Sequence, residues 1–285
     1  MKKVSILLLG ILALFASCDK VKNTMQQASA RVTEMENSEE AEQQLTKVSY
    51  CSPDSMVQLS AEIPVYADND LLNDSILAYI DKNFRGFAEA YAVNHDAQGS
   101  FKSGGEALWA QLQSEIADLK AEFEEGDEIP DYVTNWSYED AIELEDATDN
   151  YVTFVSHGYE YQGGAHGISW MVGATLNKQT GRTIGQEILK DTDSAGFQTL
   201  LKKGLEEYFG DVCDDMNTSL SDWLFINPDE ETIPIPNMRI YKGTFIFQYQ
   251  SYEIAPYACG MPAVILTFDQ IKPYLTSEGL RLIGE

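Results

Sequence analysis

The chain is short of positive charge, of histidine and of long apolar runs. Only 19 of its 285 residues are Lys or Arg, against 46 Asp and Glu, for a formal charge of −27. Such a surface repels phosphate backbones and anionic lipid headgroups, which argues against nucleic acid as a partner. Basic proteins, metal cations and neutral sugars remain. Three histidines leave few candidates for a general base. With no GxSxG elbow, an acyl-transfer triad has no support. No two cysteines have CxxC spacing, which excludes a zinc ribbon and a dithiol redox centre. No repeat with a period of 20–50 residues is present. Chance pairs of carboxylates are unavoidable among 46 acids, and no spacing singles out two for glycosidase chemistry.

The one long apolar run is at the start. MKK is followed by VSILLLGILALFA, thirteen residues and too short to span a bilayer comfortably, and then by Ser17 and Cys18. This is the layout of a secretory signal. A small residue before a cysteine at that point resembles a bacterial lipoprotein cleavage box, with Phe15 where Leu is commoner. The expectation is a signal peptide over 1–17 and a lipid on Cys18. Losing Lys2 and Lys3 leaves 17 basic against 46 acidic residues, a balance of −29. No acidic run follows Cys18 to mark export to the cell surface. The expected location is therefore the cell envelope, anchored to the membrane by lipid and facing the periplasm. Cys51, Cys213 and Cys259 then lie in an oxidising compartment, where one disulfide is expected and its pairing is open.

Residues 19–48 are rich in Gln, Glu, Ser and Lys and cannot build a core. With Cys18 they are expected to form a tether over 18–49. MVQLSAEIPVY (56–66) alternates like a strand. In LLNDSILAYIDKNFRGFAEAY, apolar residues from Leu72 to Tyr91 recur every three or four positions, which predicts a helix capped by Asn73 or Asp74. Glu106–Glu125 reads as a second helix entered through Gly104-Gly105. From Trp136 the pattern is mostly β, with strands near 136–145, 150–161, 168–177, 237–242, 244–250 and 262–268. Phe197, Leu200, Leu201, Leu205 and Tyr208 mark a third helix. Lys242-Gly243 predicts a tight hairpin and Asn177–Gly181 a turn. The expected class is α+β, a largely antiparallel sheet packed with about three main helices. A strand–helix–helix module over 50–130 and a second domain over 131–285 are expected.

The stretch most loaded with chemistry is YQGGAHG (161–167). If 162–167 is a hairpin loop, Tyr161 faces Ile168, Tyr159 faces Trp170 and His157 faces Val172. That register joins the apolar positions of both strands and turns His157 inward. His166 sits in the loop between glycines that permit unusual torsions or close approach of a ligand. A zinc site of His157, Glu160 and His166 is disfavoured, because positions 157 and 160 of a strand point to opposite faces. No metal and no cofactor are expected.

YEYQGGAHG (159–167) with NKQTGRTIGQEIL (177–189), followed later by FQYQSYEIAPYACGMPAVILTFDQIKPYL (247–275), resembles the RsiV-like domain family. That domain is shared by a lysozyme-sensing anti-sigma factor and the non-catalytic region of PdaC-type peptidoglycan deacetylases. VQLSAEIPVY…ILAYI resembles the small module that precedes it, so the likeness covers roughly 50–285. It implies an α+β envelope domain without catalytic machinery that binds lysozyme in the anti-sigma factor. This chain departs from both relatives. It is expected to lack the sigma-binding segment and membrane helix of the one and the deacetylase domain of the other. TFDQ (267–270) lacks the second aspartate and the glycine of a deacetylase TFDDG start, and no HxxxH pair accompanies it.

The expected function is a non-catalytic, lipid-anchored binding module for a basic muramidase such as lysozyme or for cell-wall glycan. The alternative is a peptidoglycan- or polysaccharide-modifying enzyme with an unrecognised site. The expected recognition surface comprises Tyr161, Gly163, Gly164, His166, Gly167, Tyr252, Glu253 and Tyr257.

Overall fold

A computed structural model describes residues 44–84, 96–124, 126–212 and 219–285. The signal peptide, Cys18 and most of the tether lie outside the described residues. The chain divides after Ala41, and the unit Glu42–Glu285 holds everything described below.

Among the described residues, nine strands form two sheets. β1 (Gln44–Cys51), β2 (Val57–Val65), β3 (Ser137–Ala147), β4 (Tyr151–Tyr161), β5 (Ile168–Asn177) and β6 (Thr183–Ile184) make a six-stranded sheet in sequential order. β7 (Asn237–Tyr241), β8 (Thr244–Gln248) and β9 (Ala263–Thr267) make a three-stranded antiparallel one. Among the described residues only β2 and β3 run parallel. A parallel neighbour needs a long crossover, and here the crossover carries α1 (Asp70–Asn83) and α2 (Ala97–Lys120). A further long helix, α3 (Ala195–Val212), precedes β7. A single-turn helix, α4 (Leu220–Trp223), lies between α3 and β7. The class is α+β, as the patterning predicts.

Four details differ from expectation, each for a physical reason. Residues 44–49, expected in the tether, belong to β1, which pairs with β2 along its whole length. The boundary expected at 130/131 falls inside one sheet, because β2 bonds directly to β3. The cap of α1 is Asn69, whose side chain accepts from Leu72 N at 3.0 Å. Asn73 instead ties α1 back to Tyr66, accepting from its N at 2.9 Å and donating to its O at 2.8 Å. Helix α2 begins at Ala97 and runs through Gly104-Gly105. A Cβ on Gly105 would lie 2.2 Å from the Tyr50 ring, so this glycine lets helix and sheet touch.

Two cores result. Helices α1 and α2 cover one face of the large sheet, burying Leu72, Ile76, Phe101 and Ile116 against Val57, Leu59, Val152, Phe154 and Leu176. Helix α3 covers the small sheet, burying Phe197, Leu201 and Leu205 against Ile240, Phe245, Phe247 and Val264. The two sheets meet where Thr175 Oγ1 accepts from Ile240 N at 2.9 Å. Residues 151–156 of β4 are therefore buried on both faces. Cys51 is in a disulfide whose other half lies outside the described residues, and Cys259 is buried.

Candidate functional site

The loop between β4 and β5 is built by its glycines, each for its own reason. Gly163 and Gly164 have φ of 95° and 93°, a region that costs any side-chain-bearing residue. Gly167 is buried. A Cβ there would sit 2.4 Å from the Tyr159 hydroxyl oxygen and 2.5 Å from the Glu160 carbonyl. The Tyr161 hydroxyl donates to Gly164 O at 3.0 Å and folds the loop onto its own stem.

The register of this hairpin is one residue away from that expected. Glu160 faces Ile168, Tyr159 faces Ser169 and His157 faces Met171. With both faces of β4 covered near its start, polarity does not alternate there, and apolar matching gives no guide to the pairing. His157 lies half-buried beyond the covered stretch and is not a core histidine.

The second half of the site is the segment after β8. Gln250 N donates to Glu253 Oε2 at 2.7 Å and Glu253 N donates to Gln250 O at 3.1 Å, which closes a tight turn. Tyr252 sits in this turn with φ of 66°, a strained value for a tyrosine. The Gln250 side chain holds the turn against β5, accepting from Met171 N at 3.0 Å and donating to Met171 O at 2.7 Å. Asn237 does the same at Gly173, with bonds of 2.8 and 3.0 Å. Two amides thus occupy backbone groups of β5 that the two-residue β6 does not reach.

These two halves meet at His166. Its ring lies against that of Tyr257, centroids 3.9 Å apart and 16° from parallel. The Tyr257 hydroxyl donates to Gly167 O at 3.0 Å. His166 Nδ1 is 2.9 Å from the same carbonyl, which can only accept, so in the neutral ring Nδ1 carries the hydrogen. Nε2 is then an acceptor for the Tyr252 hydroxyl at 3.2 Å. Tyr252 and Tyr257 are 5.5 Å apart, centroid to centroid. His166 is exposed, and Tyr252 keeps 49% of its surface open to solvent. The cluster therefore offers aromatic faces that could stack on a sugar or receive a cation.

Of the eight expected residues, His166, Gly167, Tyr252 and Tyr257 are in direct contact, and Tyr161 with Gly164 and Gly163 shapes the loop beneath them. Glu253 is adjacent in sequence, but its carboxylate turns to Gln250 N. Two aromatics escaped sequence reasoning. Phe225, just after α4, is 59% exposed and bonds through its N to Ile254 O at 2.9 Å, beside the Tyr252 turn. Tyr132 is 51% exposed and passes its carbonyl under Gly163. Neither has a local signal, since Phe225 lies in a bend after α4 and Tyr132 in a single helical turn over Asp131–Thr134.

Residues 50–169, somewhat under half of the chain, match the family model described as Deacetylase PdaC. No curated protein matches the chain. Among solved structures, a member of the DUF3298 family from Bacteroides fragilis is 19% identical. It covers 85% of this chain and 94% of its own, with a TM-score of 0.62. A DUF3298 family protein from Pseudomonas aeruginosa is 13% identical, covering 83% and 94%, with a TM-score of 0.49. The Bacteroides likeness establishes a shared fold. The family match and that fold are consistent with an RsiV-like, PdaC-type domain.

Proposed function

We propose, for a chain whose residues 50–169 match the PdaC model, a non-catalytic binding role in the cell envelope. It is anchored through a lipid on Cys18 and captures a basic muramidase such as lysozyme. The observation that carries this reading is the His166–Tyr252–Tyr257 cluster, locked across two loops and presented to solvent. Aromatics held rigid at a surface make good anchors for a partner, because little side-chain freedom is lost on binding. The formal charge of −27 favours encounter with a basic protein. A second reading is cell-wall glycan, supported by the same open Tyr252 face, on which a sugar ring could stack.

Binding of the purified chain to hen lysozyme and to purified peptidoglycan tests both readings, measured at low and high ionic strength. Charge-driven capture of lysozyme weakens markedly as salt rises, whereas stacking on glycan hardly changes. Absence of binding to either sinks the proposal, and turnover of peptidoglycan overturns its non-catalytic part.

A further inference from the structure

Near the hairpin end of the large sheet, Tyr138 on β3, Glu160 on β4 and Ile168 on β5 stand in one register row. The next row inward is Asp140, Gly158 and Trp170. Strand alternation puts all six on the face that carries Val152 and Phe154. Helices α1 and α2 cover that face only in part. Asp140 is buried, Tyr138, Glu160 and Trp170 are half-buried, and Ile168 is 45% exposed. Gly158 lets the Trp170 indole lie directly on the strand, since a Cβ there would be 2.2 Å from the ring. The indole N–H donates to Asp140, whose carboxyl also takes the 3.0 Å bond from Ser156 Oγ. The ring is thus fixed by contact below and by a hydrogen bond at its edge. Tyr138 lies beside it, centroids 5.7 Å apart and tilted by 47°, and the two rings form a shallow aromatic corner. Among the described residues the Glu160 carboxylate makes no hydrogen bond and no ion pair. Burial, and then the Glu115 carboxylate on α2, raise the Glu160 carboxyl above its ordinary value.

We propose that this corner binds a neutral hexopyranose unit of a glycan, its C–H face against the Trp170 indole and a hydroxyl donating to Glu160. An aromatic ring fixed before the ligand arrives loses little freedom on binding. A carboxylate with open lone pairs takes hydroxyl hydrogens well. An anionic ligand would meet both Glu160 and Glu115, and a purely apolar one would cover Glu160 without satisfying it. The site shares no residue with the His166–Tyr252–Tyr257 cluster and does not depend on muramidase capture. It gives the chain a hold on glycan through a second surface.

The test uses the full chain labelled with fluorotryptophan and titrated with chitotetraose, a neutral β-linked oligosaccharide. The Trp170 resonance, assigned by its loss in Trp170→Phe, should move saturably. That of Trp223, packed against the other core, should stay in place. By calorimetry, Trp170→Ala should bind about tenfold more weakly, the loss of one aromatic stack. Glu160→Gln keeps the shape of the side chain and should bind several-fold more weakly, since a charge-assisted bond becomes a neutral one. A still Trp170 resonance, or undiminished affinity in Trp170→Ala or in Glu160→Gln, overturns the inference. Should Trp170→Ala not fold, the fluorine shift and Glu160→Gln decide. Movement of Trp170 by tetralysine and not by chitotetraose also overturns it, and assigns the corner to a basic partner. Tyr252→Ala separates this site from the glycan reading of the His166 cluster and should leave the affinity unchanged. If Tyr252→Ala abolishes binding and Trp170→Ala does not, the sugar sits at that cluster and the present inference fails.

Discussion

The imidazole of His166 and the phenol of Tyr257 stack 3.9 Å apart, and both rings bond to the same carbonyl, that of Gly167. The two residues do different work in this pair. Tyr257 is half-buried and pins the 249–262 segment to the hairpin, while His166 is exposed on top of it. Tyr257→Phe keeps the stack and loses one neutral hydrogen bond, so it should cost about 1 kcal/mol in urea unfolding and leave ligand affinity nearly intact. His166→Ala should leave stability within about 1 kcal/mol and weaken ligand binding about tenfold. If Tyr257→Ala and His166→Ala both lose stability and keep the ligand, the cluster is only a clasp.

Gly158 shows where a hairpin glycine is required by contact. A Cβ there would lie 2.2 Å from the Trp170 ring and 2.3 Å from Glu139 O, and the backbone atom cannot move aside cheaply. Gly158→Ala should therefore destabilise by about 3 kcal/mol, at the upper end of overpacking effects. Gly164 has open space around it and only its φ of 93° to lose. Gly164→Ala should cost about 1–2 kcal/mol. Equal effects for the two in denaturant titrations would contradict this division.

Much of the architecture was legible because it is written locally. The β7–β8 turn is one case, since Lys242 and Gly243 both adopt positive φ, 44° and 81°, as a tight hairpin demands. The stripe from Leu72 to Ile80 is another. What was hidden depends on distant partners. Gly105 looks like a helix breaker until Tyr50 is seen against it. Gln250 and Asn237 look like solvent-facing amides, yet they bond to backbone 79 and 64 residues away. Strand β1 reads as polar linker because only its partner β2 and the helices behind it give it a place. Of the site, the loop and its histidine were legible, but the pairing register, the orientation of Glu253 and the contribution of Phe225 were not.

Arg239 makes a forked contact with Glu145, Nε to Oε2 at 2.6 Å and Nη2 to Oε1 at 3.3 Å, with its side chain 6% exposed. It joins β7 to β3 across the interface between the sheets. Its Nη1 is buried without a hydrogen-bond partner among the described residues. Removing the carboxylate would strand the whole cation in the interior. Glu145→Ala should therefore cost about 3–5 kcal/mol, whereas the double change Glu145→Leu with Arg239→Met should be close to neutral. A double variant as unstable as the single one would show that the pair contributes net stability.

Asp140 sits in the middle of the large sheet, 5% exposed, accepting from Ser156 Oγ at 3.0 Å. Burial pushes its carboxyl up to about 7, against the smaller opposing effect of hydrogen bonds from Ser156, Trp170 and the backbone. An unfolded aspartate titrates near 3.9. Between about pH 4 and pH 7 the folded chain holds a proton that the unfolded chain has released, so this group makes stability fall as pH rises. Below that window it has no effect, and above it the penalty is complete, on the order of a few kcal/mol. Asp140→Asn keeps an acceptor for Ser156 and cannot ionise. The variant should match the parent near pH 4 and exceed it by a few kcal/mol at pH 8. Urea unfolding of both proteins across pH 4–8 checks this. Parallel stability curves would mean that Asp140 does not take up a proton on folding, and that its ionised form is compensated within the sheet.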